Sequence, residues 1–340
     1  MNTTPSSTLH LTSTRTSDGI TEHEAPGHGD RSRPDQQVDA ARRVPAAGER
    51  ALVLAGAGSA GNAWEIGVIA GLFEAGLDVT QPDLTIGTSA GSTAAAQITS
   101  ATQPAELLAA ILAAETPPRT APAGSDGGRA RIMEAANMME KTSAIIAAAE
   151  NPADMRRRMG AAALETDPAA HSSAQKKWRA TVAARLPSQH WPQRPMLIVA
   201  VDADTGEPVV FDRHSGVDLV DAVAASTSNG SPYSIGDRRY INGGYRRNEN
   251  ADLAAGYARV LVLSPFGGRT RHPLDWGMQL ATQIDELRAR GSRVETIFPD
   301  SNSENMFGAN AMDLSLRPHA ARAGYNQGRA LAEQLTEFWC

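Results

Sequence analysis

Residues 83–97 read DLTIGTSAGSTAAAQ, a short apolar run that leads through small residues into an alanine-rich segment. The apolar run predicts a buried strand, and the alanine-rich segment predicts a helix. Between them, GTSAG fits the pattern G-x-S-x-G, in which a serine occupies a strained strand-to-helix turn with its hydroxyl exposed. The pattern makes Ser89 a candidate nucleophile, with Gly87 and Gly91 as the residues that permit the turn. The alternative is an ordinary strand–helix connection built from small residues.

A second glycine-rich turn lies upstream. ALVLAG at 51–56 predicts another buried strand, and NAWEIGVIAGLFEAG at 62–76 has apolar residues at helical spacing. The glycines between them, GAGSAG at 56–61, fit G-x-G-x-x-G, which suggests a dinucleotide site. The acidic residue that binds the ribose should end the second strand, however, whereas Asp83 begins it. A dinucleotide-dependent oxidoreductase is therefore a distant alternative.

The same turn is better explained as a source of hydrogen-bond donors next to a nucleophilic serine. Attack on an acyl carbonyl creates an oxyanion, which needs hydrogen-bond donors. Backbone amides at a glycine-rich turn that opens a helix supply such donors, and the helix dipole adds to their effect. Ala57 and Gly58 are the best candidates for these amides.

The order of the predicted elements indicates the fold class. Strand, helix, strand and helix over 51–97 imply a parallel sheet covered by helices. Further strands are predicted at 196–211 and 258–265, and a final helix at 318–338. Residues 103–190 are largely helical by pattern and hold five of the ten methionines, which suits either a flexible cap over an apolar site or the packing of alanine-rich helices. We expect an α/β fold with a mainly parallel central sheet, helices on both faces and a helical insertion.

Composition limits the partners and the compartment. Residues 1–48 carry few large apolar groups, so we predict a disordered tail before a domain at 49–340. The net charge of −6 gives no electrostatic reason to expect nucleic acid or an anionic membrane. Cys340 is the single cysteine, no apolar run is long enough for a bilayer, and the N-terminus lacks the features of a secretory signal. These observations favour a cytoplasmic protein.

Histidine is the usual activator of a nucleophilic serine, and the candidates here are His272 and His319. The chain order serine, acid, histidine belongs to a fold with several strands before the elbow. Here one predicted strand precedes Ser89 once the tail is set aside. The histidines are more simply surface residues.

Taken together, three motifs resemble those of the patatin-like phospholipases, a family of lipid acyl hydrolases. They are GAGSAG, then GTSAG about 30 residues later, and INGG at 241–244, where the family has Asp-Gly-Gly or Asp-Gly-Ala. The resemblance implies a three-layer patatin-like fold and a serine–aspartate dyad that needs no histidine, metal or cofactor. It also implies a lipid or other small ester as substrate, with transient contact to a membrane surface, and it leaves the oligomeric state open.

The resemblance also assigns residues. The catalytic pair falls on Ser89 and Asn242, and Gly87, Gly91, Gly243 and Gly244 are the motif glycines. The implied oxyanion and substrate-binding set is Gly56, Ala57, Gly58, Ser59, Gly61 and Ala90.

Asn242 is the departure, because the family has aspartate there. An amide can hold Ser89 by a hydrogen bond but is too weak a base to take its proton. Three explanations stay open. Asn242 is an engineered replacement, or it marks a natural protein that has given up hydrolysis and binds an acyl ligand or a protein partner, or another base such as Asp237 or Glu249 serves.

Overall fold

The computed structural model describes residues 40–43, 47–114, 126–165, 168–301 and 303–340. Most of the predicted tail therefore lies outside the described residues. Two parts of it do not: Ala40–Arg42 form a 3-10 turn with Ala40 buried, and the first strand already begins at Gly48. Arg43 also forms an ion pair of 2.6 Å with Asp212. This ion pair docks the end of the predicted tail on the domain that composition places at 49–340.

Eight strands of the described chain form a mixed sheet. They are β1 Gly48–Leu54, β2 Leu84–Thr88, β3 Met196–Asp202, β4 Pro208–Phe211, β5 Tyr233–Ile235, β6 Arg238–Asn242, β7 Tyr257–Leu263 and β8 Arg293–Ile297. Their order is β5-β6-β3-β2-β1-β7-β8, with β4 also paired to β3. The pairs β1–β2, β1–β7, β2–β3 and β7–β8 are parallel, whereas β4, β5 and β6 pair antiparallel. The α/β class with a mostly parallel sheet is confirmed.

The helices surround this sheet. They are α1 Gly58–Glu74, α2 Ala90–Ile98, α3 Pro104–Ala113, α4 Asp126–Ala148, α5 Pro152–Leu164, α6 Pro168–Ala183, α7 Leu219–Ser226, α8 Leu280–Ala289 and α9 Arg317–Trp339. The segment predicted to be helical contains α3 to α6. Helix α1 begins at Gly58 rather than at Asn62, because its first turn is made of the glycine-rich motif, whose small residues carry no apolar periodicity. The sequence pattern also did not reveal β5, β8 and α8.

Both faces of the sheet are buried. On β1, Leu52 and Leu54 pack in a core with residues of α1, α2, α7 and α9. The alternate residues Ala51 and Val53 pack in a second core with residues of α8. Residues of α4 and α5 pack on β3 and β6 in a third. Alternation along the strand therefore places helices on both sides.

Helices α1 and α9 pack with their backbones almost in contact. A Cβ atom on Gly67 would lie 2.1 Å from the carbonyl oxygen of Ala321, and one on Gly71 equally close to that of Tyr325. In the other direction, Gly324 and Gly328 have no room for a Cβ against α1. Four glycines thus fix α9 closely along α1. Within the described ranges, no helix combines the length and apolar character needed to cross a membrane.

Candidate active site

Ser89 occupies the turn between β2 and α2 with φ 51° and ψ −119°. A positive φ on a residue other than glycine costs roughly 1–3 kcal/mol, so the surrounding structure must enforce it. A Cβ on Gly91 would lie 2.0 Å from the carbonyl oxygen of Leu54, and one on Gly87 would lie 2.6 Å from the Cα of Ser92. Both motif glycines are required because the turn presses against neighbouring backbone.

The backbone of Ser89 is held on both sides. Its N–H donates to the hydroxyl oxygen of Ser226 at 2.9 Å, and Ser226 is completely buried at the end of α7. Its carbonyl accepts from the amide of Ser92 at 2.9 Å and from the hydroxyl of Ser92 at 2.6 Å. The strained turn is therefore fastened at two points, and the side chain of Ser89 remains partly exposed.

Asn242 ends β6 and reaches Ser89. Its side-chain Nδ2 donates to Ser89 Oγ at 3.0 Å, and its Oδ1 accepts from the amide of Gly244 at 2.9 Å. A backbone N–H can only donate, so this second bond fixes which side of the amide is oxygen. The Nδ2 group also contacts Asn229 Oδ1 at 3.3 Å. A Cβ on Gly243 would lie 2.1 Å from the carbonyl oxygen of Val199, which keeps this position glycine.

The glycine-rich turn at 56–61 lies against Ser89. A Cβ on Gly56 would be 3.1 Å from the Cβ of Ser89, and the amide of Gly56 donates to the carbonyl of Asn248 at 3.1 Å. The amide of Gly61 donates to the carbonyl of Ala57 at 3.1 Å, and that of Ala60 donates to Ala311 at 2.9 Å.

The remaining amides of this turn open α1. Gly58 has φ 62°, and the amides of Ala57, Gly58 and Ser59 have no acceptor within the ranges that the structure covers. The first turn of a helix has no carbonyl of its own for such groups. Ala90, which follows Ser89, likewise begins α2 and is largely buried. Unpaired amides thus open both helices that begin next to the Ser89 turn and the adjoining glycine-rich turn.

The alternative bases are placed elsewhere. Glu249 is buried, and its carboxylate accepts from Ser264 at 2.9 Å, Asn248 at 3.1 Å and Gln283 at 3.3 Å. Burial raises the pKa of Glu249 above its ordinary value. Asp237 is exposed at the turn between β5 and β6, at the opposite end of β6 from Asn242. Neither carboxylate bonds to Ser89.

The histidine and dinucleotide alternatives find no support in the geometry. His272 contacts Thr270 at 2.8 Å and stacks on Trp276, and His319 is exposed; neither bonds to Ser89. Asp83 accepts from the amides of Glu49 at 3.0 Å and Arg50 at 2.9 Å. Asp83 therefore ties the start of β2 to the start of β1, away from the glycine turn at the other end of the strands.

The helical segment forms one wall of a small cavity whose lining includes Ile241 but neither Asn242 nor Ser89. The cavity has a volume of about 110 Å³, with α4 and α5 on one side and the 228–230 loop, Ile241 and Tyr245 on the other. Met138 and Met159 are in the lining. Met155 and Met159 are buried in the core, whereas Met138 and Met139 are 39% and 44% exposed. Met155 and Met159 thus serve core packing, and Met138 lines the cavity from α4, whereas the side chain of Met133 lies outside the described ones.

Several residues of the site escaped the sequence reasoning. Ser226 and Asn229 belong to no motif that would link them to Ser89 or Asn242. Asn248 joins the two glycine motifs, since its carbonyl binds Gly56 and its side-chain oxygen lies 3.8 Å from where a Cβ of Gly244 would be. The sequence signal that could have indicated these residues is their polar character close to a predicted motif. Within the described part of the chain, no cluster of three or more His, Cys, Asp or Glu side chains could hold a metal ion.

Comparison with known proteins gives matches of different strength. The family model described as patatin-like phospholipase matches residues 52–255, which include every motif described above. No curated protein matches the chain. Among solved structures, one described as the type III effector protein ExoU is 15% identical with a TM-score of 0.31, over 82% of this chain and 53% of that one. The chain thus spans about half the length of that protein.

Proposed function

The chain belongs to the patatin-like phospholipase family, and we propose that it carries a serine acyl-hydrolase or acyltransferase site for a lipid or other carboxylic ester. The observation that carries the proposal is the 3.0 Å hydrogen bond between Asn242 and Ser89. It joins the nucleophile of the elbow to the position of the family's catalytic acid. Unpaired amides at the two helix starts complete the arrangement.

The chemistry follows from these positions. The Ser89 oxygen attacks the acyl carbon, and a carboxylate at position 242 takes the hydroxyl proton. The amides of Ala57, Gly58 and Ala90 stabilise the oxyanion. When the ester C–O bond breaks, the proton passes to the departing alkoxide, which leaves as an alcohol. Water or another nucleophile then attacks the acyl–serine ester and gives up a proton to the same base. When the bond between the acyl carbon and Ser89 Oγ breaks, the base returns that proton to Oγ, and the acyl group is released.

Asn242 interrupts this sequence at its first proton transfer. Its Nδ2 donates to Ser89 Oγ and cannot accept the hydroxyl proton. The scaffold therefore keeps the nucleophile and the oxyanion donors while it lacks the base. This observation favours a second candidate function, a retired enzyme that binds an acyl ligand or a protein partner.

Further expectations rest on the same proposal. We propose that α4 and α5, which line a cavity together with Ile241, form a cap over an acyl group, with Met138 as an adaptable contact. We propose that the domain begins near residue 49 and that the protein acts in the cytoplasm with transient contact to lipid surfaces. The chemistry assigned to Ser89 requires no metal ion or organic cofactor.

Hydrolysis of a short-chain p-nitrophenyl ester tests the proposal. The native chain, Asn242→Asp and Ser89→Ala are compared, and carboxylate-to-amide changes in related sites suggest a gain of roughly 10³–10⁴-fold in kcat for Asn242→Asp. The Ser89→Ala variant supplies the blank. Equal activity of the Asn and Asp forms would show that residue 242 is not the base.

A serine-directed fluorophosphonate separates the two candidate functions. Labelling of Ser89 in the native chain supports a retained nucleophile, and inert Ser89 in the native chain with labelling in Asn242→Asp supports a retired enzyme. If Ser89 stays unlabelled in both forms, the proposed acyl-transfer site is wrong.

A further inference from the structure

A segment outside residues 52–255 packs directly against the glycine-rich turn at 56–61. The carbonyl of Ala311 accepts from the amide of Ala60 at 2.9 Å, and a Cβ on Gly58 would lie 2.7 Å from the same oxygen. Phe307, from the same segment, makes an edge contact with Trp64 of α1, with ring centroids 6.2 Å apart. The chain just before α9 therefore lies directly on the turn that opens α1.

Arg317, the first residue of α9, forms hydrogen bonds to the same turn through its guanidinium group. Its Nη1 donates to the carbonyl oxygen of Ser59 at 2.8 Å and to the Ser59 hydroxyl at 3.1 Å. Both terminal nitrogens donate to Asn62 Oδ1 at 3.2 Å. Arg317 is thus bound to two residues in the first two turns of α1, the first of them between Gly58 and Ala60.

The charge of Arg317 is not neutralised by a neighbouring acid. Among the ion pairs of the described residues, none includes Arg317, and its acceptors are neutral oxygens. Burial, with repulsion from Arg185 as a smaller cause, lowers the pKa of Arg317 to about 10, so the group is still a cation at neutral pH. A partly buried cation without a carboxylate is costly, and packing alone does not call for one.

Further hydrogen bonds hold Asn62, one of the two residues that Arg317 contacts, in a fixed orientation. Asn62 donates onward to Gln97 at 3.0 Å, and Gln97 donates to the carbonyl of Arg185 at 3.0 Å. Each amide in this chain of bonds is engaged at both ends, which fixes its orientation. The close glycine packing of α9 along α1 holds the backbone of Arg317 in register with the turn.

We propose that Arg317 is a positioning residue for the oxyanion site, holding the Ala57–Ser59 amides in place and adding positive charge behind them. The proposal rests on the proposed acyl-transfer function. Arg317 acts through Ser59 and the first turn of α1, since a donor must lie within hydrogen-bond reach of the oxyanion and small displacements cost much of the rate. The anion that it favours is the tetrahedral intermediate on Ser89.

Amide hydrogen exchange tests the positioning without any need for turnover. The variants are Arg317→Met, which removes charge and donors at similar length, and Arg317→Lys, which keeps the charge. Arg329→Met is the control on the same helix, where the side chain is half exposed near Glu74. In the peptide that covers 56–62, which includes the bonded amides of Ala60 and Gly61, we expect exchange to be fastest for Arg317→Met, intermediate for Arg317→Lys and unchanged for Arg329→Met, with α9 unchanged in all three. Unchanged exchange of that peptide would overturn the proposal.

Kinetics in the Asn242→Asp background test the effect on the reaction. We expect Arg317→Met to lower kcat about 10- to 100-fold with little change in KM, Arg317→Lys to recover part of the loss, and Arg329→Met to have no effect. If hydrogen exchange shows a loosened turn but kcat is unchanged, Arg317 has a structural role only, and the proposed role in the reaction is wrong. If Arg317→Met does not fold, Arg317→Lys decides by the same two readouts. If Asn242→Asp itself has no activity, the proposed function fails, and hydrogen exchange alone decides whether Arg317 holds the turn.

Discussion

The side-chain nitrogen of Asn242 donates a hydrogen bond to the hydroxyl oxygen of Ser89 at 3.0 Å, across 153 positions of the chain. The direction of this bond is opposite to the one that catalysis needs, where the serine hydroxyl donates to a base. The proposed dyad therefore has its two side chains in contact but lacks a group that can accept the serine proton. Because the two side chains already lie in contact, a single substitution suffices to test the site.

Removal of the Ser226 hydroxyl should weaken the serine turn. In Ser226→Ala the N–H of Ser89 loses its acceptor in a buried setting, and an unpaired buried group costs about 1–3 kcal/mol of the free energy of unfolding. Urea unfolding measures this loss, and kcat in the Asn242→Asp background should fall as well. Ser231→Ala is the control, at an exposed serine of the loop that follows α7. Equal stability of the two variants would mean that Ser226 does not fasten the turn.

Glycine at position 91 should be far less replaceable than glycine at position 76. A Cβ on Gly91 would lie 2.0 Å from the carbonyl oxygen of Leu54, whereas a Cβ on Gly76 meets nothing within 4 Å. Gly91→Ala forces the backbone of β1 and α2 apart, so we expect a loss above about 4 kcal/mol or failure to fold. Gly76→Ala has only the penalty of its positive φ, about 1–2 kcal/mol. Thermal unfolding compares them, and similar losses would contradict the steric argument.

The chain contains two Asn-Gly pairs near the site, and the fold should protect one of them from deamidation. The reaction needs the nitrogen of the glycine to attack the asparagine side-chain carbonyl and expel ammonia, after which water opens the ring. At Asn242 the carbonyl oxygen is held by Gly244 and the backbone of Gly243 is packed against Val199. We expect Asn242 to deamidate much more slowly in the folded chain than in urea.

Asn229 is the matched control for this prediction, because it is exposed and Gly230 follows it in a bend. Peptide mass spectrometry after incubation at mildly alkaline pH should find Asn229 converted first in the folded chain. In urea the two sites should react at comparable rates. Faster conversion at Asn242 in the folded chain would show that its side chain is not held as described, and such a sample would acquire a carboxylate at the dyad.

His272 should make the folded state sensitive to mild acid. Burial, followed by repulsion from Arg271, lowers the pKa of His272 to about 4, while an unfolded chain has a histidine pKa of about 6.5. Between these two pKa values, His272 is protonated in the unfolded chain but neutral in the folded chain. The free energy of unfolding therefore falls as the pH falls from about 6.5 towards 4. His272→Phe should show a smaller loss of Tm over this interval. His190→Gln, at an exposed histidine, should match the native chain, and an unchanged slope in His272→Phe would contradict the assignment.

The sequence by itself determined the local parts of the site. The strand–turn–helix at Ser89 and the glycine-rich turn before α1 were readable because short apolar runs and obligatory glycines are local signals. The mostly parallel sheet followed from the alternation of strands and helices. Asn242 could be matched to the position where the family has aspartate because the order of the three motifs along the chain identifies that position without any knowledge of spatial contacts.

The tertiary structure alone decided which distant groups meet. The start of α1 at Gly58 depends on backbone packing, which leaves no apolar periodicity in the sequence. The contacts of Ser226 with Ser89 and of Arg317 with Ser59 join residues 137 and 258 positions apart. Side-chain partners at such separations are set by strand order and helix packing, and no local pattern encodes them. The sequence thus identified the proposed nucleophile and the amide at the proposed base position, and the fold specified what holds these two residues in place.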